Sequence, residues 1–306
     1  MKMLLAGATS FAFELCGGHA IQFLKIQKQT TGLPYATITR QITQTKGMVG
    51  LLDGFLPWGA FIAVGKGAVF GLGHAGSMYA LRGTIRNDAK PLSLSEPAAQ
   101  IISGGVGGFF QGLAANPLLL LNTRVMTNAK FRNEKEMLST STSSFRLASE
   151  IIRTEGPMAL MKGAHILAGK RVLDWTSRFF FVVIVEEAIK RRTQESQLTF
   201  AQKSMASIAG GVLSCAVTIP LDVMVATVQT HTKAGQKVRL LGTGSSILQS
   251  GGIGALVAFS TRGFVARATH VGLATLLMKT ITSKLYELMQ SKKLTTDRRL
   301  SDKLSV

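Results

Sequence analysis

Apolar stretches of membrane-spanning length recur along the chain, and few of them are clean. Leu4 to Ile26, Ala98 to Met126 and Met205 to Val228 are apolar and rich in glycine. Each is followed by a polar segment with helical spacing, clearest in Phe145 to Arg153, then by a glycine-marked turn and a second apolar stretch with embedded basic residues. The stretch from Glu155 to Lys190 shows this second kind best. Lys170, Arg171, Asp174 and Arg178 interrupt it, Phe179 to Val185 are uniformly apolar, and Glu186, Glu187 and Lys190 close it. Charge at that depth is costly unless it faces a wet interior, so the pattern predicts one wall of a polar cavity inside a bilayer.

The turns repeat. Lys46-Gly47 to Gly54, Glu155-Gly156 to Gly163 and Gly251 to Ala258 share a turn-then-helix pattern and lie about a hundred residues apart, which predicts three copies of one unit. Two apolar runs per unit give six helices, joined within each unit by a polar loop with a short surface helix. Small residues recur in the odd-numbered runs, as in Ser103 to Gly108, Gly112 and Ala209 to Gly211. Close approach of helices in lipid needs such residues.

Composition agrees with this reading. The 306 residues are 46% hydrophobic and 17% charged, with 32 glycines, and the mean hydropathy is +0.26. These values fit a polytopic membrane protein better than a soluble enzyme. The net charge of +19 makes the chain an attractor of anions, with part of the excess in Lys284 to Lys303. Cys16 and Cys215 form neither a disulfide framework nor a thiolate metal site. The opening segment resembles a weak signal peptide, but Glu14 interrupts it and no clear cleavage site follows, so it is expected to be the first membrane helix.

Proline marks two odd runs, in Pro117-Leu118-Leu119 to Asn122-Thr123-Arg124 and in Pro220-Leu221-Asp222 to Val225; the first unit has Ala20, Gln22 and Lys25 in the same frame. With the threefold spacing, this pattern resembles the mitochondrial carrier family, whose repeated signature is Pro-x-Asp/Glu-x-x-Lys/Arg. Residues Gly54 to Trp58 with Lys66 to Val69, and Arg171 with Asp174 to Phe179, are similar to members that carry citrate and oxoglutarate. Ile62 departs from them where they hold an acid facing the cavity.

The resemblance implies an all-α membrane protein: six transmembrane helices in three pseudo-symmetric two-helix repeats, with short matrix-side helices. One transporter domain would cover 1–306, with repeats at about 1–90, 91–195 and 196–290 and a basic tail at 291–306. Lys25 with Asp222 is expected to be the single clean ion pair of the matrix gate, since Leu119, Asn122 and Val225 replace its other charges. Glu187 and Lys190 would belong to the opposite gate, where Met78 and Thr282 stand at the equivalent positions. The implied location is the mitochondrial inner membrane, multi-pass.

An anion crossing the hydrocarbon needs fixed positive charge near the midplane. Lys66, Lys170, Arg171 and Arg262 are the substrate-binding candidates, with few acids expected nearby; Arg178, Arg267 and His270 are possible additions, and Trp58 and Trp175 could pack against substrate. Guanidinium forks suit carboxylates bidentately and lysines add point charge, which favours substrates with two or three carboxylates. Snorkelling to the interface is the bland alternative for each base. Scattered histidines, no metal-site spacing and no phosphate-cradling loop argue against an enzyme and against any cofactor.

The expected activity is exchange of di- or tricarboxylates by alternating access. A carrier for nucleotides or phosphate, or a non-transporting membrane protein that binds nucleic acid or anionic lipid, stays open. The expected partners are a small anionic substrate and membrane lipid, cardiolipin included, with no nucleic acid. The chain is expected to act as a monomer.

Overall fold

Every regular element among the described residues is helical. The structure, a computed structural model, describes residues 2–82, 94–128, 131, 137–195, 197–231 and 240–277. The expected basic tail, Lys284 to Lys303 and Thr282 lie outside them. Helix α1 (Lys2–Phe13) and α2 (His19–Thr31) are separated by a widened turn over Glu14–Gly18, in which Gly17 takes φ 152°. There follow α3 (Tyr35–Lys46), α4 (Ala60–Arg82), α5 (Glu96–Thr127) and α6 (Met137–Glu155). The remainder is α7 (Ala164–Thr193), α8 (Phe200–His231), α9 (Leu240–Ser260) and α10 (264–277).

The glycine-marked turns have a common cause. Gly47 (φ 69°, ψ −167°), Gly156 (φ 80°, ψ 163°) and Gly252 (φ 66°, ψ −169°) adopt one backbone conformation, in a region essentially restricted to glycine. In the third segment the turn sits at Gly252, not Gly251, and it breaks α9 in two. Each of the first two turns is followed by a short 3₁₀ segment, Met48–Leu52 and Pro157–Met161.

Helices α3 and α6 are amphipathic, and each turns its apolar stripe to a small core. Ile38 and Ile42 of α3 pack with Phe23, Ile26, Leu51 and Met126. Ala148 and Ile151 of α6 pack with Trp58, Leu121, Val125 and Phe131. Trp58 is therefore a core residue, 7% exposed; it is held by its neighbours and by Phe145, whose ring lies 5.1 Å away.

The turns also carry charge pairs of opposite polarity. Lys46 Nζ bonds Asp53 Oδ1 at 2.6 Å and donates to Thr140 Oγ1 at 2.7 Å and the Phe131 carbonyl at 3.1 Å, all buried. Glu155 and Lys162 occupy the corresponding places with the signs reversed and lie in solvent, where the ammonium holds the Glu155 carboxyl below its ordinary range.

Helix α5 lies between α4 and α7 on a face of small residues, as expected for helices associating without a hydrophobic drive. A Cβ at Gly108 would stand 2.5 Å from the Arg171 carbonyl oxygen, and one at Gly112 would stand 2.6 Å from the Ala168 Cα. These neighbours are backbone and cannot rotate away. Gly112→Ala should therefore push α5 off α7 at a cost of about 1–3 kcal/mol; an unchanged thermal unfolding midpoint of the purified protein would contradict this close contact.

Among the described residues, three helical segments are long and apolar enough to cross a membrane: Met48–Leu81, Glu96–Thr127 and Phe200–Ala226. The other long elements miss the mark for physical reasons. Helix α7 carries Lys170, Arg171, Asp174 and Arg178 in its span, and α1 and α2 are broken at Glu14–Gly18. Large apolar side chains point outward from several helices, among them Leu72, Phe110, Phe180, Val217 and Val265. Charges are buried inside.

Candidate functional site

Four helices bring buried charge to one place. Lys170 and Asp174 are one turn apart on α7 and therefore share a face, and Lys170 Nζ lies 2.6 Å from Asp174 Oδ2. Asp222 projects from α8 two residues beyond Pro220, whose ring removes a backbone donor inside the helix. Its carboxylate meets Lys170 at 2.7 Å, Arg267 of α10 at 2.5 Å and Lys25 of α2 at 3.5 Å. Arg267 also bonds Asp174, and donates to Thr218 Oγ1 at 2.8 Å. Ser214 of α8 donates to the Asp174 carbonyl at 2.9 Å and meets Ser177 Oγ at 2.8 Å.

This arrangement corrects two expectations. Lys25 does meet Asp222, but not as an isolated pair, because Lys170 and Arg267 converge on the same carboxylate. Lys170 and Arg267 do not face an acid-poor cavity either: two carboxylates neutralise them, Asp174 from α7 and Asp222 from α8. Three cations meet two carboxylates, so the group keeps one formal positive charge.

Arg171, next along α7, differs from Lys170. It makes no ion pair among the described residues, and its Nε is buried without a hydrogen-bond partner. A buried donor left unmatched is costly.

A second polar cluster lies between the α1–α2 turn, α4 and α10. Lys66 Nζ bonds Glu14 Oε1 at 2.7 Å, and His270 Nε2 lies 3.3 Å from both Glu14 oxygens. Glu14 was legible as an acid inside an apolar run, but its partners are 52 and 256 residues away along the chain. Lys66 is thus another base with an acid beside it, contrary to expectation.

Gln111 of α5 ties this cluster to α7. Its Nε2 donates to the Lys66 carbonyl at 2.8 Å, and its Oε1 accepts from Trp175 Nε1 at 3.0 Å. The Trp175 ring stacks on Phe70 with centroids 3.9 Å apart, and His74 stacks on Phe179 at 5.5 Å. Arg178 lies over Trp175, 5.0 Å from the ring centroid.

The remaining candidates stand apart. Arg262 sits in the turn before α10, over the Phe259 ring and against Gly32 at the end of α2, and shares no hydrogen bond or ion pair with Lys170 among the described residues. Glu187 bonds Arg191 at 3.1 Å along its own helix in an exposed pair, and Lys190 makes no ion pair among the described residues.

Comparison with known proteins adds a lineage. The family model for "Mitochondrial carrier protein" matches residues 93–193 and 196–293. The chain is 28% identical to the citrate/oxoglutarate carrier protein of Saccharomyces cerevisiae over 215 residues, covering 68% of this chain and 65% of that protein. It is 25% identical to mitochondrial citrate transporter F of Aspergillus niger over 300 residues, covering 93% of this chain and 89% of that one.

Proposed function

Because the chain belongs to the mitochondrial carrier protein family, whose members are transporters and not enzymes, we propose that it is a multi-pass antiporter of the mitochondrial inner membrane. Its substrates are di- or tricarboxylates, citrate or oxoglutarate among them, exchanged by alternating access about a central site. The names of the two fungal relatives support this substrate class. The observation that carries it is the buried, unpartnered Nε of Arg171 beside a charge group with one excess positive charge.

In this reading six helices cross the membrane: the broken α1–α2 pair, α4, α5, α7, α8 and α10. Helices α3, α6 and the first half of α9 lie along the matrix surface, one in each repeat. Outward apolar side chains meet lipid, with cardiolipin a candidate at the matrix-side turns, and the inward charges line the path.

Arg171 takes a substrate carboxylate through its planar fork, while Lys66 supplies point charge from α4. Lys170 and Arg267 stay engaged with Asp174 and Asp222 in this arrangement, and that network, with Lys25, holds the four helices together as a gate. A substrate anion competes with the internal carboxylates for the same cations, which couples its binding to loosening of the network. The carrier acts as a monomer around this one central path.

The test is uptake of labelled citrate and oxoglutarate into liposomes that contain the purified chain and internal carboxylates. Uptake suppressed by unlabelled citrate and indifferent to ATP is the expected result. Failure to take up either carboxylate would sink this substrate class.

A further inference from the structure

Glu14 has no part in the gate or in carboxylate recognition, yet it is the most fully buried member of its cluster. Its side chain is 5% exposed, against 29% for Lys66 and 20% for His270. The turn that carries it is built to admit it: a Cβ at Gly18 would stand 2.9 Å from Glu14 Oε2 and 2.6 Å from the Phe13 ring. The Phe13 ring in turn packs on the His270 ring, with centroids 5.2 Å apart, and covers one side of the cluster.

We propose that Glu14 and His270 form a proton-binding site coupled to anion binding at Lys66, so that the chain carries one proton together with its carboxylate substrate. This rests on the carboxylate reading above. With His270 neutral, the Glu14 carboxylate and the Lys66 ammonium cancel. When a substrate carboxylate takes Lys66 for itself, Glu14 loses its only fixed counter-charge among the described residues while still buried. An isolated buried carboxylate is very costly, and such groups take up a proton instead.

The proton has two places to go, onto Glu14 itself or onto the imidazole that touches both its oxygens; either restores the balance. The other charged and titratable groups around Glu14 do not substitute. His19 on α2 is buried and its Nε2 is bound to the Asp53 carbonyl at 3.0 Å, and Lys25 on α2 is engaged by Asp222. From α4 only Lys66 reaches the carboxylate, and from α10 only His270, among the described residues. The cycle is balanced: anion and proton bind from one side, and as the anion leaves on the other, Lys66 returns to Glu14 and the proton is released with it.

Coupling is reciprocal, so external protons must strengthen anion binding as much as the anion strengthens proton binding. Oxoglutarate is the suitable probe, because both its carboxylates stay ionised across about pH 6 to 8. For exchange by the reconstituted full chain, the KM for external oxoglutarate should rise with pH, by up to about tenfold per unit for one coupled proton. In Glu14→Gln the buried charge is gone and the KM should lose this pH dependence.

A wild-type KM that is flat with pH, or a Glu14→Gln slope equal to the wild-type slope, overturns the proposal. If oxoglutarate is not exchanged at all, the carboxylate reading fails, and the proton site is then decided without transport. The ring resonance of His270 in histidine-labelled protein, assigned by its loss in His270→Asn, should titrate differently in Glu14→Gln. An identical titration in the two proteins overturns the site.

Discussion

Replacing Asp222 with asparagine should lower the thermal unfolding midpoint sharply and abolish exchange. Asp222 is the one carboxylate touched by Lys25, Lys170 and Arg267, which come from three different helices. Without its charge, Asp174 alone faces three cations, and the formal excess rises from one positive charge to two. Breaking a buried ion pair by removing one partner costs about 3–5 kcal/mol, because the survivors stay desolvated without compensation. The chain contains its own reporter: Cys215 is buried on the same helix, so a thiol-reactive dye gains access to it as α8 comes away, while exposed Cys16 sets the baseline. A midpoint equal to that of the unaltered protein would show that the charge group does not hold the helices.

Arg171→Ala should do the opposite: exchange collapses and the midpoint holds. Among the described residues no carboxylate pairs with this guanidinium, so its removal strands no described partner. What is lost is a forked contact to the substrate, about 3 kcal/mol for two charge-assisted hydrogen bonds, or on the order of a hundredfold in kcat/KM for carboxylate exchange. Arg171→Lys keeps the charge without the fork and should fall between. Lys170→Ala is the internal contrast, because it strips a counter-charge from both Asp174 and Asp222 and should lower the midpoint. Equal behaviour of the two alanine variants would erase the distinction between a residue kept for substrate and one kept for structure.

That distinction was not legible in the chain. Lys170 and Arg171 are adjacent, equally basic and embedded in the same apolar run, and both read as bases awaiting an anion. Their difference comes from Asp222 on another helix and from the one-turn offset that turns Lys170, and not Arg171, toward Asp174. Such pairings depend on how four helices are set around each other, which residue spacing on one helix does not encode. Glu14 illustrates the same limit, since an acid in an apolar run is visible while its partners on α4 and α10 are not.

What was legible has local causes. Gly47 and Gly156 mark turns because a backbone conformation closed to other residues is required there, and composition alone reveals it. The small residues of α5 were visible as a helix-contact face for the same kind of reason. The core place of Trp58 was not legible, because a large aromatic side chain suits a cavity wall and a core equally well, and the packing of α6 against it is not encoded in local spacing.

The pairs at the turns differ in how firmly they are fastened. Lys46 and Asp53 are riveted together under α6 by a lysine with three partners, whereas Glu155 and Lys162 form a loose clasp in water. The third turn has Gly251 and Ala258 where the others have charges, and so has no fastener of this kind. In the six-helix arrangement proposed above, the first corner is expected to resist opening most and the third least.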